Sequence, residues 1–153
     1  MSGGKSLWLI DEVAIDKDSL YNDSGSAIAV PLDLNLTDFF FKYGVRINPV
    51  MVNSLDSSPL RIAIGEGSET QFMPIEWHYS PLATSNPFHP ITKNINYVKF
   101  DFANQIDTLK NKVDKTVLLV SSGRTKLEGV PKEVSLDMIT KDADPSTHVQ
   151  ANQ

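Results

Sequence analysis

Asn35-Leu36-Thr37-Asp38-Phe39-Phe40-Phe41-Lys42-Tyr43-Gly44 runs straight into Val45-Arg46-Ile47-Asn48-Pro49. Leu36, Phe39, Phe40 and Tyr43 fall at i, i+3, i+4 and i+7, one face of a helix. Asn35 or Thr37 can cap the start, and Gly44 suits the left-handed residue just past the end. Val45-Arg46-Ile47 then reads as a short extended segment. A helix delivered directly into a strand sets the class expected for the whole chain, in which strands and helices interleave.

Upstream, Ser6-Leu7-Trp8-Leu9-Ile10 is a continuous apolar run closed by Asp11-Glu12. Such runs mark strands buried on both faces. Residues 16–33 are rich in Asp, Ser, Asn and Gly and read as loop. Downstream, Leu60–Ile64 alternates, residues 65–68 form a turn, and Thr70–Trp77 returns, giving a β-hairpin. Pro81 to Pro90 carries three prolines and reads as loop. Tyr97–Phe102 alternates as a half-buried strand. Asn104 to Val113 is compatible with a helix burying Ile106, Leu109 and Val113. Thr116 to Val120 reads as a second buried strand, and Val134 to Met138 as the last one. The expectation is an α/β domain with a mixed sheet over 1–141, in which Leu7–Ile10 and Val117–Val120 are central, and a frayed polar tail over 142–153.

Composition bounds the function. The 153 residues are 41% hydrophobic and 22% charged, the balance of one globular domain. The net charge of −5 argues against non-specific nucleic-acid binding, which needs clustered Lys and Arg. It argues also, more weakly, against docking on an anionic membrane surface. With no cysteine, thiol nucleophiles, disulfides and thiolate metal sites are excluded. No apolar run approaches the roughly 20 residues of a membrane-spanning helix.

Few residues suggest chemistry. Asp11, Glu12, Ser121 and Ser122 follow the two apolar runs, where ligands gather in open α/β sheets. They are candidates for a small polar pocket, and equally ordinary caps of loop amides. His78 and His89, with Glu76, match no familiar zinc spacing, so no metal or cofactor is expected. Ser121-Ser122 lacks the nucleophile elbow. Gly65-Glu66-Gly67 lacks the strand–helix context and the lysine of a phosphate loop, so the chain is not itself an ATPase. Trp77, Tyr79 and Phe88 stand among Pro81, Pro87 and Pro90. They are candidates for a partner-binding surface, or for packing on the hairpin.

Several stretches carry a resemblance. These are residues 3–13, from Gly3-Gly4-Lys5 to Val13; residues 33–49, the most distinctive; Trp77–Leu82; His89–Ile95; and Lys115–Ser122. Together they resemble the GldG-like family, auxiliary proteins of uncharacterised ABC transport systems associated with gliding motility, over most of residues 3–140. That family is similar also to a subunit of eukaryotic intraflagellar transport. The resemblance implies a Rossmann-like layered fold related to glutamine-amidotransferase-like domains. Amidotransferase chemistry does not carry over, because it needs a cysteine. The resemblance also implies a non-catalytic assembly domain on the extracytoplasmic (periplasmic) side of the bacterial inner membrane. Its partners would be separate permease and ATPase subunits. Membrane attachment would lie in segments absent from this chain, which reads as a fragment of a larger soluble region. A small-molecule or glycan-binding domain of a transport system is the alternative.

Overall fold

A computed structural model describes residues 4–22, 24–65 and 67–140. The expected tail beyond Asp142, with His148, lies outside them. The described residues form a mixed α/β domain in which one short α-helix accompanies several small antiparallel sheets.

The strands are β1 (Val13–Ala14), β2 (Ser26–Pro31), β3 (Val45–Ser54), β4 (Leu60–Ile64), β5 (Gln71–Ile75), β6 (Leu82–Ser85), β7 (Tyr97–Lys99), β8 (Asn104–Thr108), β9 (Leu119–Val120), β10 (Thr125–Gly129) and β11 (Lys132–Ser135); helix α1 is Thr37–Tyr43. They assemble as β1-β2-β11, β10-β3-β8, β4-β5 and β7-β6-β9. Every ladder among the described residues is antiparallel. Antiparallel neighbours need only short connections, which is why so many strands fit with a single helix.

Leu36 stands at the N-cap of α1 and makes no side-chain cap bond, so neither Asn35 nor Thr37 is the cap. Asp33 Oδ1 instead accepts from the Asn35 amide at 2.9 Å, and Asn35 takes a positive φ. The far end matches the sequence: Gly44 is left-handed at φ 73° and its amide bonds Phe41 O at 2.9 Å. The expected buried face is not formed. No residue of α1 is fully buried, although Phe40 is half-buried. The helix lies against β3 on one side only, and its aromatics cover more of its circumference than that strand can.

The two runs expected as central strands are corrected. Residues 4–12 form no ladder, and Leu7 and Leu9 are 85% and 86% exposed. Trp8 lies against α1 instead, 5.2 Å from the Phe39 ring and 6.0 Å from Phe40. In the second run only Leu119–Val120 pairs, at the edge of β6, and Val117 and Val120 are exposed. The strands that are central are β2, β3 and β6.

The helix expected over Asn104–Val113 is also corrected, to strand β8. Residues 104–108 pair with β3, with Ile106 opposite Ile47, so Ile106 faces outward at 62% exposure. Three apolar residues in ten cannot separate the two periodicities, and the ladder decides. Within Pro81–Pro90, the proline-free Leu82–Ser85 becomes β6. Tyr97–Phe102 keeps only its first half as strand, and Val134–Met138 divides between β11 and a 3-10 turn over Leu136–Thr140. Val45–Ile47 opens a much longer strand that continues through Pro49, where β3 and β8 shift register between Asn48 and Met51. The hairpin expected over residues 60–77 forms as β4 and β5, with Leu60 opposite Ile75 and Ile62 opposite Met73.

The core gathers Val13, Leu20, Ala27, Ala29, Met51, Leu60 and Val134 around Trp77, Tyr79 and Phe102. Their ring centroids lie 5.5 to 6.1 Å apart, the spacing of favourable edge and tilted pairs.

Candidate functional site

The four strand-end residues are held separately. Asp11 is exposed. The Glu12 amide donates to Asn104 Oδ1 at 2.8 Å, and Asn104 Nδ2 donates to Val50 O at 3.0 Å. Ser122 Oγ lies 3.3 Å from Ser54 Oγ and accepts from the Arg124 amide at 3.2 Å. Asn104 faces Met51 on β3, three residues before Ser54. At about 3.3 Å per residue the two groups are anchored about 10 Å apart. Glu12 lines a shallow surface depression with Thr37, Phe40, Phe41, Val45, Arg46 and Ile47, with room for about one water and not for a ligand. Neither Ser121 nor Ser122 lines it.

Ser122 belongs to a polar corner. The Arg124 guanidinium pairs with Asp56, its Nε 3.2 Å from Oδ2. Hydrogen bonds from Arg124 and then Ser122 hold the Asp56 carboxyl below its usual range. Ser54 Oγ accepts from the Asp56 amide at 3.2 Å, and Thr125 Oγ1 donates to Ser122 O at 2.8 Å. Each group closes a turn.

A more deeply set carboxylate is Glu128. It accepts from Tyr79 Oη at 2.6 Å and Lys132 Nζ at 2.6 Å, and Lys126 Nζ lies at 3.1 Å. Burial pushes its pKa up. The bonds from Lys132, Tyr79 and Lys126 outweigh that, and the carboxyl stays below its usual range. This network stitches β10 to the core aromatics and leaves Glu128 without a free lone pair aimed at solvent chemistry.

The histidines take structural partners. His78 is buried, with Nε2 4.0 Å from Glu76 Oε2. His89 Nδ1 accepts from the Ile91 amide at 3.3 Å. Among the described residues no three His, Asp or Glu side chains are grouped as a metal would require.

The three candidate partner-binding aromatics divide. Trp77 is 1% exposed and Tyr79 is buried beside it, so the display expected from Trp77 to Ile91 reduces to Phe88, which is 93% exposed, and Ile91. Two backbone-adjacent aromatics became core because Ser54 N bonds His78 O and Phe102 N bonds Tyr79 O, drawing the segment inward.

The largest aromatic display lies elsewhere. Trp8, Phe39, Phe41 and Tyr43 are all exposed, and Phe39 packs 5.1 Å from Tyr43 and 5.2 Å from Trp8. A signal for this was present in the sequence. Phe39-Phe40-Phe41 points in three directions around a helix, and a seven-residue helix on one strand buries only one of them.

No curated protein and no solved structure matches the chain. The whole of residues 1–153 matches the model of a protein family described as an ABC-type uncharacterized transport system. With its whole length matched by that family model, the chain belongs to the ABC-type uncharacterized transport system family.

Proposed function

We propose that this chain is a non-catalytic auxiliary domain that assembles an ABC transport system of the gliding-motility, GldG-like type. The partners are the separate permease and ATPase subunits, and the domain works on the extracytoplasmic side of the inner membrane as part of a membrane-anchored protein. A Rossmann-like or glutamine-amidotransferase-like layering belongs to the same proposal, as a property of a larger soluble region beside these antiparallel sheets.

The observation that carries the reading is the exposed cluster of Trp8, Phe39 and Tyr43 in a member of a transport-system family. Aromatic side chains dominate interface hot spots because they bury large areas with few rotatable bonds. Phe39 and Tyr43 are pre-stacked, so ordering them on binding costs little. Among the described residues no helix is long and apolar enough to cross a membrane, so attachment would be supplied outside them.

The test is capture of the full-length protein from native membranes, with wild type beside a Phe39→Ala/Tyr43→Ala variant. The wild type retains permease and ATPase chains, and the variant loses them. Equal recovery by both would discard this face.

A further inference from the structure

Lys5-Ser6-Leu7-Trp8-Leu9-Ile10-Asp11 has the composition of a strand and no strand beside it. Among the described residues no backbone hydrogen bond reaches residues 5–11. The first backbone tie is at Glu12, whose carbonyl accepts from the Leu32 amide at 2.8 Å and whose amide donates to Asn104 Oδ1. The side chains nonetheless alternate. Trp8 lies on the Phe39 and Phe40 rings, and its Nε1 donates to Ser6 Oγ at 2.9 Å, which puts Ser6 and Trp8 on one side. Ile10 is half-buried. Leu7 and Leu9 are far more open to solvent than Trp8, and Lys5 and Asp11 are exposed with them. Odd-numbered residues face solvent and even-numbered ones face the domain, the period of an extended chain.

An unpaired strand with an apolar outer face is a template for another strand. The spacing of charge selects which one. Lys5 and Asp11 lie three residues to either side of Trp8 and carry opposite charge. Neither forms an ion pair among the described residues. An antiparallel second copy centred on Trp8 sets Lys5 opposite Asp11, Leu7 opposite Leu9 and Trp8 opposite Trp8, with each unlike pair occurring twice about the two-fold axis. Residues directly opposite one another share a face, so this register keeps Lys5, Leu7, Leu9 and Asp11 on the outer side of both copies. A slip of one residue would set the outer face of one copy against the inner face of the other. A slip of two would set a leucine opposite Lys5 or Asp11.

We propose that residues 5–11 are a self-docking strand that joins two copies of this chain through an antiparallel ladder across a two-fold axis. The ladder gives partners to backbone groups that have none within one copy. On the outer face the Leu7–Leu9 pairs bring the leucines of both copies together, flanked at each end by a Lys5–Asp11 pair. On the inner face each Trp8 remains seated on its own α1 and backs the ladder. One short strand per copy buries less than the roughly 1,200 Å² of a stable complex, so the association is weak and depends on concentration. It does not rest on the transport partners proposed above.

Sedimentation equilibrium of the full chain from about 10 μM to about 1 mM tests this. Wild type should move from monomer toward dimer across that range. Lys5→Glu and Asp11→Lys each set like charges opposite one another at both ends of the ladder, and each alone should weaken self-association about ten-fold. Mixed together, the two variants regain both opposite-charge pairs and should associate about as tightly as wild type. Leu7→Ser/Leu9→Ser should also weaken association. All four positions are exposed, so melting temperatures of the dilute variants should equal the wild type's. Tyr43→Ala should dimerise like wild type, so this proposal and the protein-partner face fail separately. A wild type that stays monomeric at the highest concentration would overturn the proposal. So would charge variants that associate like wild type, or a mixture no tighter than its two components.

Discussion

The Tyr79 hydroxyl donates to Glu128 Oε2 at 2.6 Å, joining the aromatic part of the core to a half-buried carboxylate. Tyr79→Phe keeps the ring contacts with Trp77 and Phe102 and removes that bond alone. A hydrogen bond to a charged group contributes about 1.5–3 kcal/mol. A urea melt should show a loss in that range. An unchanged midpoint would mean that Lys132 and Lys126 satisfy Glu128 without the tyrosine.

The same carboxylate makes stability fall in acid. Its pKa in the folded chain lies below the ordinary value of 4.5, so the unfolded state takes up a proton first as the pH drops. The stabilisation is complete well above 4.5 and is lost as the pH falls through the lower, folded value. Asp56, Asp101 and Asp107 are shifted in the same direction and add to the slope. Urea midpoints from about pH 6 to about pH 3 should fall steadily for wild type and less steeply for Glu128→Gln. Parallel slopes would show that the three aspartates carry the whole effect.

Phe40 is half-buried, whereas its neighbours on α1 are open to solvent. Phe40→Ala should therefore cost less than the about 3–5 kcal/mol of a fully buried ring, on the order of 2 kcal/mol. Phe39→Ala and Tyr43→Ala should each stay within about 1 kcal/mol of wild type. A chemical melt of the three variants checks the order. A larger loss at Phe39 than at Phe40 would reverse the face that α1 turns to β3.

Gly44→Ala meets two obstacles. The φ of 73° is left-handed, and a Cβ there would lie 2.5 Å from Asn111 Nδ2 and 2.6 Å from Lys115 Nζ. Left-handed alanine costs roughly 1–2 kcal/mol, and displacing Asn111 also breaks its bond to Lys42 O. A destabilisation of about 2 kcal/mol is expected in a thermal melt. A neutral outcome would show that the end of α1 re-forms without the left-handed residue.

Local chemistry was legible in the sequence, and partners in space were not. Gly44 announced the end of α1, and the alternation of Leu60–Ile64 with its turn announced the hairpin, because each depends on neighbours in the chain. Leu7–Ile10 has the apolar content of a buried strand, but whether another strand pairs with it is a long-range fact, and Trp8 found α1 instead. Ile106 fitted a helix as well as a strand until β3 supplied a ladder. The candidate site divided for the same reason. Phe88 is displayed as its prolines suggest, while Trp77 and Tyr79 were drawn inward by backbone bonds to Ser54 and Phe102.

Among the described residues the strands form four separate sheets, and β4 and β5 pair only with each other. Backbone amides exchange with solvent when their local unit opens, and units that share no ladder open independently. Deuterium uptake should thus be staged. The β4–β5 amides should exchange first, since that pair rests on the core through Leu60, Ile62 and Ile75 with both outer edges bare. The β2 and β3 amides, flanked on both sides, should exchange last. A docked subunit that lay along β4 or β5 would then announce itself as slowed labelling of Leu60–Ile64 or Gln71–Ile75, with the β2 and β3 rates unmoved.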